Sequence, residues 1–328
     1  MAANYSQQDS YSLTELFFNI YLKSIIFNTM NNESTLHHLF SLLTYWLPIF
    51  FIALIIAETA YLLLRFRQFH YKEAKVNVIT GLTAIVAQGI VKTYFITGLY
   101  PAVYEHRIWD IGLNGYAWLL GFFMYTFIQF ATHYFYHKVR IFWCLHEVHH
   151  SAIYMNTTTG LRNSVFDIVS LDIFFLLIPL VGVNPLVYFI LYTLNKFWGS
   201  FIHINEGIVS RIPLLDYILV TPGIHHLHHA RNITYLDKNY GEIIPWYDKL
   251  FGTYAKHKEK PEYGTLIVQQ ELSFWETQLN EFRRLAHDIR GTKKWQHRVG
   301  YCFMPPGWQP GDKSKTARSL QKALKNSA

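Results

Sequence analysis

Residues 115–150 read GYAWLLGFFMYTFIQFATHYFYHKVRIFWCLHEVHH. The first part, Gly115 to Ala131, carries no charged side chain and approaches the roughly 20 apolar residues that cross a bilayer. Two histidine boxes follow at once: His133-x3-His137, then His146-x2-His149-His150. Helical positions three or four apart share a face, so each box aims its imidazoles at one point. A single straight helix over 133–150 would hold His133 and His146 roughly 20 Å apart, at about 1.5 Å per residue. For both boxes to serve one centre, the chain must bend between Lys138 and Leu145.

A third box, His225-His226-Leu-His228-His229, repeats the H-x2-H-H spacing. The chain has 17 histidines in 328 residues, and that frequency gives roughly 0.05 chance matches to the pattern. Two matches therefore mark a ligand set: His133, His137, His146, His149, His150, His225, His228 and His229. His203, leaving the last apolar run, is either a ninth ligand or a residue beside the ligands. His37, His38, His70, His106, His257, His287 and His297 stand alone and receive no role. Imidazole suits zinc, copper, iron and nickel. A structural zinc closes with four ligands, so eight box histidines point to two metals. Two irons with open positions could bind and split dioxygen.

The composition agrees with a membrane setting. Half the chain is hydrophobic (51%), 17% is aromatic and only 16% is charged, against about a quarter charged in soluble domains. Two cysteines, Cys144 and Cys302, cannot make a disulfide framework. The net charge of +7 gathers largely beyond residue 280 beside apolar spans, which fits lipid headgroups or cytosol rather than nucleic acid. Five spans are expected: Leu39–Leu64, Val76–Tyr100, Gly115–Ala131, and a hairpin of Val165–Gly182 and Pro185–Phe201 turning at Val183-Asn184-Pro185. Arg65, Arg67, Lys72 and Lys75 place the 65–75 loop in the cytosol. Counting onward brings the boxes and everything after His203 to that side. Glu58, Lys92 and Asp172 are charges within or near spans, either functional or structurally paired.

The fold class expected is therefore all-α: a polytopic membrane protein with about four to five apolar helices in the membrane and a cytosolic, histidine-rich di-metal cap. Residues 1–38 form a polar or interfacial segment; MAANYSQQDS lacks the basic start of a secretory signal. Residues 39–260 form the membrane-embedded domain with the boxes, and residues 261–328 a basic cytosolic tail. Within it, Ser273–Arg290 has helical apolar spacing. Met304-Pro-Pro-Gly-Trp308 is expected to end ordered structure.

Taken together, the boxes resemble the fatty acid hydroxylase/sterol desaturase superfamily. Thr221-Pro-Gly-Ile-His225-His226-Leu-His228-His229-Ala-Arg231-Asn232, Asp237-Lys-Asn-Tyr-Gly241 and Asp248-Lys-Leu-Phe-Gly-Thr253 are similar to its alkylglycerol monooxygenase branch, as is His146-Glu-Val-His-His-Ser151 with Thr159-Gly-Leu-Arg162. Asn156-Thr-Thr-Thr159 and Ile204-Asn-Glu206 depart from that branch. The resemblance covers roughly 40–255. It implies two iron ions on the box histidines and hydroxylation or desaturation of a lipid with O2. It also implies an external electron donor, either a cytochrome b5 or ferredoxin-type protein or a reduced pterin, since no His-Pro-Gly-Gly haem loop is present. The membrane would be endoplasmic reticulum in a eukaryote or the cytoplasmic membrane in a bacterium. A metal transporter or sensor would instead place its ligands inside the spans with access from both faces. A zinc hydrolase would need Glu147 as its base.

Overall fold

The computed structural model of the protein describes residues 46–327 except 68, 169–170, 210–212 and 268–272. The N-terminal segment and the start of the first expected span lie outside the described residues. Helices account for the regular structure there, and the β pairing among the described residues is limited to the isolated bridges Ala230–Tyr263 and Gln309–Asp312.

The apolar runs fold as helices because each is long, poor in charge and punctuated at its ends. Helix α1 (Leu47–Phe66) has Pro48 in its first turn, where a missing N–H costs nothing, and closes on Arg67 at φ 51°. Helix α2 (Tyr71–Tyr94) runs through a π turn at Phe95–Leu99 into α3 (Tyr100–Glu105). Leu47–Phe66 and Tyr71–Glu105 are long and apolar enough to cross a membrane, with mean hydropathies of 2.3 and 1.5. Helix α4 (Gly115–Lys138) starts where the Asn114 side chain accepts the Ala117 N–H. It continues past the expected end at Ala131, so the first box forms its last turns. Val139, in an extended conformation, separates α4 from α5 (Arg140–His150). That is the bend the two boxes require.

The expected span Val165–Gly182 is not one helix. Its described residues before 172 form turns; a tight 3-10 turn at Asp172–Leu176 and the short α6 (Leu177–Val181) follow. Pro179 lacks the N–H that a longer helix needs, and Asp172 is held sideways by Lys92 at 3.3 Å. Lys92 and Asp172 are thus a structural pair. The arm still reaches the far loop, where Ile108 N–H donates to Leu180 O at 2.8 Å. Gly182 is required there: a Cβ would stand 1.9 Å from the Trp109 carbonyl oxygen. Helix α7 (Pro185–Phe201) returns to the histidine level, and Gly160 lies against Ser200. Tyr100, Tyr125, Ile178, Val187 and Tyr188 pack the core between these elements.

Three buried groups at the box end of α1 and α2 fix the chain after the second box. The Glu58 carboxylate accepts the Thr157 and Asn205 N–H groups, both at 2.7 Å. Glu73 accepts the Ile153 N–H at 2.7 Å. Arg162 donates to Val148 O, Ser151 Oγ and Asn77 Oδ1 at 2.9 Å each. Removing one partner from such a buried charge network costs about 3–5 kcal/mol. Glu58 is therefore a backbone clamp.

Five further helices complete the box side. Helix α8 (Pro222–His228) carries the third box, and α9 (Trp246–Leu250) follows a loop. Helix α10 (Phe274–Arg290) opens with a Ser273–Glu276 capping box. The structure corrects the expectation that order stops at Met304–Trp308. Helix α11 (Trp295–Phe303) is followed by a turn in which the Trp308 ring covers Gly300, and then by α12 (Ala317–Ser327). Gln321 of α12 donates to Ile233 O and Leu236 O, which pins the tail onto the third-box region.

Candidate metal centre

The nine sequence-selected histidines converge in two sets. His133, His137, His146, His150 and His228 form one, and His149, His203, His225 and His229 the other. Within each set the ligand atoms lie within 4.8 Å of one another. The sets adjoin, since the His150 ring stacks on that of His229 with centroids 4.3 Å apart.

The first box serves one set only, whereas the second and third boxes are each divided between the two. The pairs four apart, His133/His137, His146/His150 and His225/His229, each stay together. His149 and His228 cross to the set opposite their helical neighbours. A residue turns 100° about a helix from the one before it, so His149 and His150 must point to different places. His203 completes the second set.

The outer ring nitrogens are tied to oxygen. His133 Nδ1 donates to Tyr240 O at 2.7 Å, His149 Nδ1 to Arg162 O at 3.1 Å, His203 Nδ1 to Gly199 O at 2.6 Å, and His228 Nδ1 to Lys238 O at 2.9 Å. A carbonyl can only accept, so each of these nitrogens carries the proton and each Nε2 is a bare lone pair. His137 Nδ1 instead faces Asp237 Oδ1 at 3.6 Å. Burial alone would raise the Asp237 carboxyl, but His137 and Lys138 outweigh it and hold it below the usual range.

The inner nitrogens then face one another. His203 Nε2 lies 3.1 Å from His149 Nε2, a contact between two lone pairs. The other inner nitrogens approach as closely: 2.9 Å for His133–His146, 3.1 Å for His146–His150 and 3.0 Å for His203–His225. Nε2 of His137 and of His228 is buried without a partner. Two converging lone pairs repel unless a cation lies between them. Spacings near 3 Å match the edge of an octahedron whose metal–nitrogen bonds are about 2.1 Å. Burial also keeps these rings neutral, as ligation requires: it depresses His149 to about 3 and pushes His146, His150, His203, His225, His228 and His229 down as well. The donor set and its spacing fit two metal ions.

Comparison with known proteins finds similarity over the same residues. Residues 118–253 match the fatty acid hydroxylase family model. The chain is similar to this family over that region. It is similar to alkylglycerol monooxygenase of Danio rerio, 30% identical over 203 residues, and of Homo sapiens, 31% identical over 205. Each match covers 62% of this chain and 44% of the relative, so the chain matches less than half the length of these proteins. A Delta(7)-sterol 5(6)-desaturase of Eremothecium gossypii is 23% identical over 64% of the chain and 59% of its own length. No solved structure matches significantly.

All nine histidines fall inside the region matched by that family model. Its loop 237–240 was legible as a motif, but not as the support of the ligand rings. Asp237 and Asn239 adopt φ of 56° and 57°, a left-handed conformation that Asp and Asn tolerate better than other side chains. That winding turns the Lys238 and Tyr240 carbonyls toward His228 and His133. His226, next to His225, joins neither set; its Nδ1 lies 3.3 Å from the Tyr263 hydroxyl. Of the aromatic residues considered as an entrance, Tyr136 donates to Asp167 at 2.8 Å and Tyr134 packs on Tyr240. Trp143 lines a cavity of about 730 Å³. His137, His150, His228 and His229 line it together with Arg283, Arg284, Trp308 and Lys315, which lie outside the matched region. Glu147, also on the wall, is raised to about 7 by burial and then by Glu281.

Proposed function

We propose that the protein is a membrane-bound, non-haem di-iron oxygenase that hydroxylates or desaturates a lipid with O2. The observation that carries this reading is the pair of adjoining all-imidazole sets, with lone pairs aimed inward at about 3 Å. His133, His137, His146, His150 and His228 would hold one iron, and His149, His203, His225 and His229 the other. Iron rather than zinc is argued from the family and from the number of ligands, since nine imidazoles exceed two closed four-ligand sites. The irons, when bound, supply the reduction of dioxygen and the oxidising power to attack an unactivated C–H bond.

The chain's own residues do the rest. The carbonyls of Gly199, Arg162, Lys238 and Tyr240 fix each ring's tautomer and direction, and Asp237 supports His137. The apolar helices α1 to α4 would hold the lipid's hydrocarbon part in the bilayer beside the centre. The water-facing cavity gives a separate donor, either an electron-transfer protein or a reduced pterin, an approach from the cytosolic side. Sterols, fatty acyl chains and ether lipids are the substrate classes named by the relatives.

Elemental analysis of protein from iron-replete cells should give about two metal ions per chain. His149→Ala and His228→Ala should each abolish lipid oxidation, measured as lipidome differences against the wild type, while leaving membrane insertion intact. A single metal, or appreciable turnover in either variant, would falsify the reading.

A further inference from the structure

We propose that the cap is itself inserted in the leaflet, through a shelf formed by residues 213–218 and 246–251. Leu214 and Leu250 are 75% and 74% exposed, and Tyr217, Ile218, Trp246 and Phe251 lie exposed beside them. Scattered exposed apolar residues need no explanation, but a contiguous group does.

The position of the shelf names what covers it. The Trp246 ring stacks on Phe123, and Phe251 packs on Phe127 and Phe130. Tyr247 Oη donates to Phe123 O at 2.9 Å. These partners are on α4, three to ten residues before His133, or about 4–15 Å further from the cap along the helix. The shelf thus lies alongside the uncharged run of α4, level with the membrane edge. Ile85, Val86 and Ile90 on α2 and Leu119 on α4 are likewise exposed apolar residues of the long helices.

Its charges are sorted as a membrane interface demands. The two acids in these segments turn inward. Asp216 is buried and accepts the Thr221 hydroxyl, and Asp248 is buried and accepts the Tyr240 and Gly241 N–H groups. The cations stay at the rim. Lys249 Nζ lies 4.7 Å from the Tyr217 ring centre and 5.0 Å from that of Tyr254, and Lys256 Nζ lies 5.7 Å from Tyr217. Lysines over tyrosines beside a tryptophan form an interfacial belt, with apolar stems in lipid and ammonium heads at the phosphates. The occupant is the bilayer leaflet.

The inference rests on the membrane placement of the helices and not on the iron chemistry. Nitroxide labels are attached to single cysteines in a C144A/C302A background, in vesicles of phosphatidylcholine and phosphatidylglycerol. Leu214→Cys and Leu250→Cys report the shelf, Ile90→Cys the long helices and Ser314→Cys the aqueous cap. Positions 214, 250, 90 and 314 are all exposed, so these labels leave the packing intact. Collision with oxygen relative to a water-soluble nickel chelate is expected to be several-fold higher at 214 and 250 than at 314. Shelf labels that behave like Ser314 while Ile90 sits in lipid overturn the shelf alone. A water-like Ile90 overturns the membrane placement with it. Shelf labels shielded from both colliders show a protein partner instead, which also overturns the inference.

Discussion

Asp237 tests how much of the centre depends on residues that do not face it. Its carboxylate pairs with Lys138 and stands 3.6 Å from His137 Nδ1. Asp237→Asn keeps the shape but removes the charge that makes the ring a better donor. Metal affinity or turnover should fall about tenfold to a hundredfold, read by competition with a chelator. An unchanged affinity would leave His137 outside the first set. Spacing in the sequence was enough to select the histidines, but the face argument grouped each box as a unit. The 100° turn between His149 and His150 already forbids that. What spacing could not supply was the partner across the seam, because His203 and His149 meet only after the hairpin has folded back. The oxygen atoms that orient the rings were equally hidden, since four of them are backbone carbonyls and carry no residue signature.

At the scale of elements, Glu58 joins three of them. It sits on α1 and accepts N–H groups from Thr157, after the second box, and Asn205, after α7. Glu58→Ala leaves two buried donors unpaired, at about 1–3 kcal/mol each. A lowered midpoint of thermal unfolding is expected in Glu58→Ala, with Glu58→Gln closer to wild type because its amide oxygen still accepts. Equal midpoints for wild type and Glu58→Ala would refute the clamp. Helices α1, α2, α4, α7 and α10 were readable as apolar or amphipathic runs because length and periodicity report burial directly. The arm before α6 was misread for a physical reason: its composition is apolar, but Pro179 and the Lys92–Asp172 pair divide it. The tail was misread because Pro305, Pro306 and Gly307 were taken as a stop, whereas Gly307 makes a turn at φ 82° that returns the chain to α12.

The whole molecule has one property that local contacts leave open, which is its orientation in the bilayer. Arg65, Arg67, Lys72 and Lys75, against Glu73, make the 65–75 connection the basic one, and positive loops remain in the cytosol. The far connection, 106–114, has Arg107 paired with Asp110 at 3.1 Å. The arm that includes α6 meets that far connection at Leu180, and α7 returns from it. If both legs cross, they add an even number of crossings, and the ends of the hairpin would lie on one side with the three boxes and the basic tail. That is the orientation proposed above, with a donor approaching from the cytosol. In a C144A/C302A background, single cysteines at the exposed positions Asn114, Glu259 and Ser314 separate the alternatives. A membrane-impermeant thiol reagent should label 259 and 314 only when the cytosolic face is open, and 114 only from the opposite face. If all three labels reverse, the charge rule fails here but the shared centre survives. If 114 and 314 react from the same face, the helices do not cross as described and the lipid must reach the histidines by another route.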